Sequence, residues 1–66
     1  MQITVNGQSQ TVDKGATVAQ LLARLQLHPV RVAVEINEEL VARKLYAQTP
    51  ICNGDRVEIV TFVGGG

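Results

Sequence analysis

The sequence predicts an α+β fold in which one main helix packs across a mixed sheet of four to five strands. Three observations predict it. Apolar and polar residues alternate near both ends of the chain and again in its middle, the period-two pattern of half-buried strands. A single stretch, from Val18 to Leu25, instead repeats its apolar residues at helical spacing. The chain has 66 residues, 45% of them apolar, which is one small domain, and a helix laid on a sheet buries these faces together economically.

Met1 to Val5 opens the chain as a strand with Met1, Ile3 and Val5 on one face and Gln2 and Thr4 on the other. Asn6-Gly7 predicts a type I′ hairpin turn, because both central positions need positive φ. The returning strand, Gln8 to Asp13, is polar apart from Val12, which suits a sheet edge that resists strand-on-strand pairing. Lys14-Gly15-Ala16 connects to a helix whose N-cap is Thr17, with Gln20 completing a capping box. Val18, Leu21, Leu22 and Leu25 form its apolar stripe, and Leu27-His28-Pro29 is expected to end it, since a residue before proline is pushed out of the α region.

Val30 to Ile36 alternates again, with Val30, Val32, Val34 and Ile36 on one face. Asn37-Glu38-Glu39 turns the chain into a short strand at Leu40-Val41. Ala42 to Gln48 reads as irregular or one helical turn, with Leu45 or Tyr46 dipping into the core. Asn53-Gly54-Asp55 is a tight turn that launches the final strand. That strand is the most apolar, so a central position is expected, with the first strand as its parallel neighbour.

Charge and composition exclude several function classes. Six basic and six acidic side chains cancel and form no basic stripe, so nucleic acid is not an expected partner. No apolar run approaches the ~20 residues that cross a bilayer, and Met1 to Val5 lacks the basic and apolar blocks of a signal peptide. The lone Cys52 cannot form an internal disulfide, and a cytoplasmic location is expected.

The final strand runs directly into Gly64-Gly65-Gly66. The expected organisation is a domain over residues 1–63 and a flexible glycine tail over 64–66. Glycines lack Cβ atoms, so such a tail can adopt dihedrals closed to other residues and thread a narrow channel. Its one distinctive group is the Gly66 α-carboxylate, ionised at neutral pH. If Val57, Ile59, Thr61 and Val63 face the helix, then Val60 and Phe62 lie on the open side of the sheet as an apolar patch beside the tail. A neighbouring loop covering them is the plainer alternative.

The opening Ile3-Thr4-Val5-Asn6-Gly7, the helix start Thr17-Val18-Ala19-Gln20-Leu21-Leu22, the stretch Val34-Glu35-Ile36-Asn37 with Val41, Ala42 and Arg43, and the ending from Gly54 to Gly66 carry a resemblance. Over nearly the whole chain they resemble the sulfur carrier proteins of thiamin biosynthesis, the ThiS family, with its β-grasp, or ubiquitin-like, fold. The resemblance implies that the chain is a carrier and not an enzyme, with no cofactor of its own. An E1-like adenylating enzyme of the ThiF type would use ATP to activate the Gly66 carboxylate as an acyl-adenylate. Sulfur from a cysteine desulfurase would then give a C-terminal thiocarboxylate, which a thiazole synthase of the ThiG type would consume. Gly65 belongs to the same diglycine, and Gly64 is expected to be spacer.

Other residues carry plainer expectations. Cys52 suits a buried free thiol, His28 a solvated side chain at a helix end, Glu38-Glu39 a solvated turn, and no set of residues has metal-ligand spacing. Rival functions share the tail chemistry: a carrier for molybdopterin or another sulfur metabolite, and a ubiquitin-like modifier joined to lysines. A β-grasp interaction module is a rival of a different class, and it would tolerate loss of the glycines.

Overall fold

The computed structural model describes residues 1–62. Its strands are β1 (Gln2–Val5), β2 (Gln8–Thr11), β3 (Val32–Ile36), β4 (Glu39–Val41) and β5 (Arg56–Thr61), in the spatial order β2-β1-β5-β3-β4. The helix α1 (Val18–Arg24) lies across one face. β5 is central, parallel to β1 (Val5 opposite Val57) and antiparallel to β3 (Val34 opposite Ile59), as its apolar character predicts. β2 is an edge, also as expected.

The core forms where the inward residues of the sheet meet the helix stripe: Ile3, Val5, Val34, Val57 and Ile59 against Val18, Leu21 and Leu22. Each fully buried aliphatic side chain contributes roughly 1.5–3 kcal/mol. No charged residue is buried among the described residues, so that interior has no desolvated charge to offset.

The turns obey their predicted chemistry. Asn6 and Gly7 take φ 50° and 83°, as a type I′ hairpin requires. Asn37 and Glu38 repeat the device between β3 and β4 with φ 51° and 71°, so Glu39 is the first residue of β4 and not part of the turn. The capping box is complete: the Gln20 N–H donates to Thr17 Oγ1 at 3.2 Å, and the Thr17 N–H donates to Gln20 Oε1 at 2.8 Å.

Other boundaries differ from expectation, β2 among them, which ends at Thr11 and not at Asp13. The helix stops before Pro29 acts, in a Schellman motif: the Leu27 N–H reaches the Leu22 carbonyl and the Gln26 N–H reaches that of Ala23. Gln26 supplies the left-handed residue at φ 61°, a position usually held by glycine. Val30 is not in a strand either. Proline's fixed φ suits the first position of a helical turn, and Pro29–Arg31 forms a 3₁₀ turn that leaves Val30 54% exposed. In the 3₁₀ segment Arg43–Gln48, Tyr46 is the buried residue and Leu45 stays outside.

Side chains finish ladders that the short strands leave incomplete. β4 ends at Val41, opposite Val34, so the Val32 carbonyl lies beyond it, and the buried Tyr46 hydroxyl donates to that carbonyl at 3.3 Å. A five-stranded mixed sheet crossed by one helix is the β-grasp arrangement.

Candidate functional site

The described part of the candidate site is the end of β5 and the sheet face around it. β-Branched Val57, Ile59 and Val60 favour a strand, and alternation sends Val57 and Ile59 into the core. Val60 and Phe62 emerge on the opposite face, 60% and 45% exposed. Thr61 departs from the expected alternation. It is exposed although its partner across the sheet, Val32, is buried. Val63 and the tail residues Gly64, Gly65 and Gly66 lie outside the described residues.

The open face has a graded character. Ala33 stands opposite Val60, and the Phe62 N–H continues the pairing by donating to the Arg31 carbonyl at 2.8 Å. One row further from the tail, Glu35 stands opposite Glu58, both exposed. Like charges directly opposite across strands are unfavourable, and the described residues place no cation in ion-pair reach of either carboxylate. Leu40, opposite Glu35 on β4, is 72% exposed. A shallow groove of about 280 Å³ between β3, β4 and the 3₁₀ segment is lined by Leu40, Ala33, Tyr46 and Phe62 among others. Leu40 is the patch residue that sequence reasoning missed. Its signal was a lone leucine in a strand too short to show alternation. Val32, next to Ala33 on β3, is buried in the core.

Two asparagines hold β5 at opposite ends. At its start, Asn37 accepts from the Arg56 N–H at 3.0 Å and donates to Asp55 Oδ1 at 3.0 Å. Near its end, Asn6 accepts from the Ile59 N–H at 2.7 Å and donates to the Ile59 carbonyl at 3.1 Å. Both sit at positive φ in hairpin turns, where asparagine is readily accommodated.

The remaining singled-out residues lie elsewhere. Cys52 is exposed, not buried, because the turn formed by residues 52–55 holds its N–H on Asp55 Oδ2 at 2.8 Å and leaves the side chain outside. His28 is exposed and caps the Pro29–Arg31 turn, its Nδ1 accepting from the Val30 N–H at 3.3 Å. Glu38 is exposed, 3.6 Å from Arg56 Nη2. Among the described residues no three His, Cys, Asp or Glu side chains are grouped to hold a metal ion, and no helix is long and apolar enough to cross a membrane.

The model of the ThiS family matches residues 3–66. A thiazole synthase of Paramagnetospirillum magneticum is 41% identical over all 66 residues, and the chain spans 20% of that protein's length. The sulfur carrier protein ThiS of Bacillus subtilis is 44% identical over 50 residues, 76% of each chain. Among solved structures, the thiamine biosynthesis protein ThiS of Geobacter metallireducens superposes with a TM-score of 0.84 at 39% identity, covering the whole of both chains.

Proposed function

The chain belongs to the ThiS family, and from that premise we propose that it is a sulfur carrier for thiamin thiazole formation, with the Gly66 carboxylate as its working group. The observation that carries this proposal is the match through residue 66, which takes in the three glycines, on a fold whose central strand leads to them. A carboxylate is a poor electrophile until one oxygen becomes part of a good leaving group. In the proposed sequence a Gly66 oxygen attacks the α-phosphorus of ATP, pyrophosphate departs, and an acyl-adenylate forms on an E1-like enzyme of the ThiF type. The terminal sulfur of a persulfide, supplied by a cysteine desulfurase, then attacks the acyl carbon and displaces AMP. A thiol reduces the resulting S–S bond and leaves the thiocarboxylate.

Each side of this chemistry belongs to the partners, and the carrier's share is presentation. Attack needs the carboxylate oxygen within ~3–3.5 Å of phosphorus. Bare Gly64 and Gly65 suit a narrow approach to the phosphates. Val60 and Phe62 would dock the adenylating enzyme, with Leu40 extending the apolar surface. The unpaired Glu35 and Glu58 beside it call for a cationic group on that partner. Two curated thiazole synthases that match the chain along its full length support a ThiG-type acceptor, although the chain spans only 20% of each. The lone cysteine suits a reducing compartment, which favours the cytoplasm.

Intact mass after incubation with ATP, an adenylating enzyme and a sulfur donor tests the proposal. The expected gain is the difference between one sulfur and one oxygen, located on Gly66 by fragmentation. An unchanged mass, or the same gain on a chain carrying an extra residue after Gly66, refutes it.

A further inference from the structure

We propose that Asn6 is a positioning residue for the activated carboxylate, and the proposal rests on the carrier function above. β1 gives out at Val5, opposite Val57, while β5 continues to Thr61. The Asn6 carboxamide stands where the next β1 peptide group would be, and it engages both the N–H and the carbonyl of Ile59. Among the described residues no other hydrogen bond reaches β5 from that side beyond Ile59. Asn6 is therefore the last lateral support on one flank of the strand that leads to the glycines. The other flank stays paired to β3 as far as the bond between Phe62 and Arg31.

Loss of this clip has a specific consequence. Val60 and Phe62 remain paired to β3, so the docking face persists, while β5 loses its last support on the flank of β1. Misplacement of a reacting group by about 1 Å costs on the order of 100-fold in rate. The defect should therefore appear in the turnover of the docked complex and not in docking itself.

Asn37 provides a matched comparison. It has the same residue type, a φ within a degree of that of Asn6, and a side-chain clip at the opposite end of β5 from the glycines, accepting from the Arg56 N–H and donating to the Asp55 carboxylate. Asn6→Gly and Asn37→Gly each keep the positive-φ turn and remove one clip. Pyrophosphate exchange from ATP, measured with an adenylating enzyme at a temperature where both variants are folded, separates the two roles. Asn6→Gly should lower kcat at least tenfold with KM for the carrier within about twofold, whereas Asn37→Gly should leave both within about twofold. Asn6→Asp keeps the acceptor for the Ile59 N–H but loses the donor. It should fall between Asn6→Gly and the unaltered chain, and it serves if the glycine variant does not fold. Hydrogen exchange should quicken at the Ile59 amide in Asn6→Gly and not in Asn37→Gly. Equal kcat losses in the two glycine variants, or a loss confined to KM, overturn the positioning role. Absence of exchange with the unaltered chain overturns the carrier function itself, and this role with it.

Discussion

Removing the Phe62 ring should weaken docking to the adenylating enzyme by about tenfold. Fully burying a phenylalanine side chain contributes up to ~3 kcal/mol, and 45% of Phe62 is still exposed in the free domain. A partner that covers the rest therefore gains about 1.3 kcal/mol, close to a factor of ten in Kd. Phe62→Ala should lose that much, and Phe62→Asp more, because a carboxylate must then be desolvated against an apolar surface. The buried half of the ring stabilises the domain, so Phe62→Ala should also lower the melting temperature by several degrees, about 4–8 °C per kcal/mol at this size. Binding is best read as Kd by titration of the adenylating enzyme without ATP, well below the melting transition, because KM equals Kd only when chemistry is slow. Leu45→Ala is the control. Leu45 is 42% exposed, yet it lies on the Arg43–Gln48 segment that packs beside α1. An unchanged Kd in Phe62→Ala, or an equal loss in Leu45→Ala, refutes the assignment of the docking face.

Thr17→Ala removes one half of the capping box and should cost about 1 kcal/mol, a fall of about 4–8 °C in melting temperature by circular dichroism. Leu22→Ala, at a fully buried position, should cost ~2–5 kcal/mol. A domain of this length has a total stability of only ~3–10 kcal/mol, so that variant should lose a large share of it, read as a much lower urea midpoint. Tyr46→Phe strands the Val32 carbonyl and should cost about 1 kcal/mol in a urea titration with unchanged slope.

The parts of the fold legible in the sequence are those where one residue settles a local conformation. Asn6-Gly7 dictates a turn because few residues accept positive φ, and Thr17 with Gln20 closes a cap within four residues. The opposite facing of Ile59 and Val60 follows from the strand period alone. What escaped was decided by competition between neighbours. Val30 carries the alternating pattern of β3, but Pro29 one residue earlier favours a turn, and the turn prevails. Gln26 closes the helix in a left-handed conformation that its side chain does not advertise, because two backbone bonds and the packing of Leu27 against the core support it. The exposure of Leu40 depends on which face a three-residue strand presents, and that is fixed only by its pairing with β3.

The asparagine clips and the Tyr46 bond answer one geometric problem. In a sheet of strands three to six residues long, β3 outruns β4 and β5 outruns β1, and each overrun leaves polar backbone groups without a strand partner. Longer neighbouring strands would solve this but would add residues to order, at ~1–2 kcal/mol of conformational entropy each. A carboxamide or hydroxyl already anchored by a turn or by the core does the same with little further ordering. The cost is that these unpaired stretches of β5 depend on single side chains, Asn37 at the Arg56 N–H and Asn6 at Ile59. A substitution that leaves the core untouched can therefore loosen one end of the central strand alone. At the Arg56 end the adjoining turn, in which Asp55 still accepts from the Cys52 N–H, absorbs the loss. At the Ile59 end the chain continues towards Gly66, so under the proposed positioning role the same loss falls on the carboxylate.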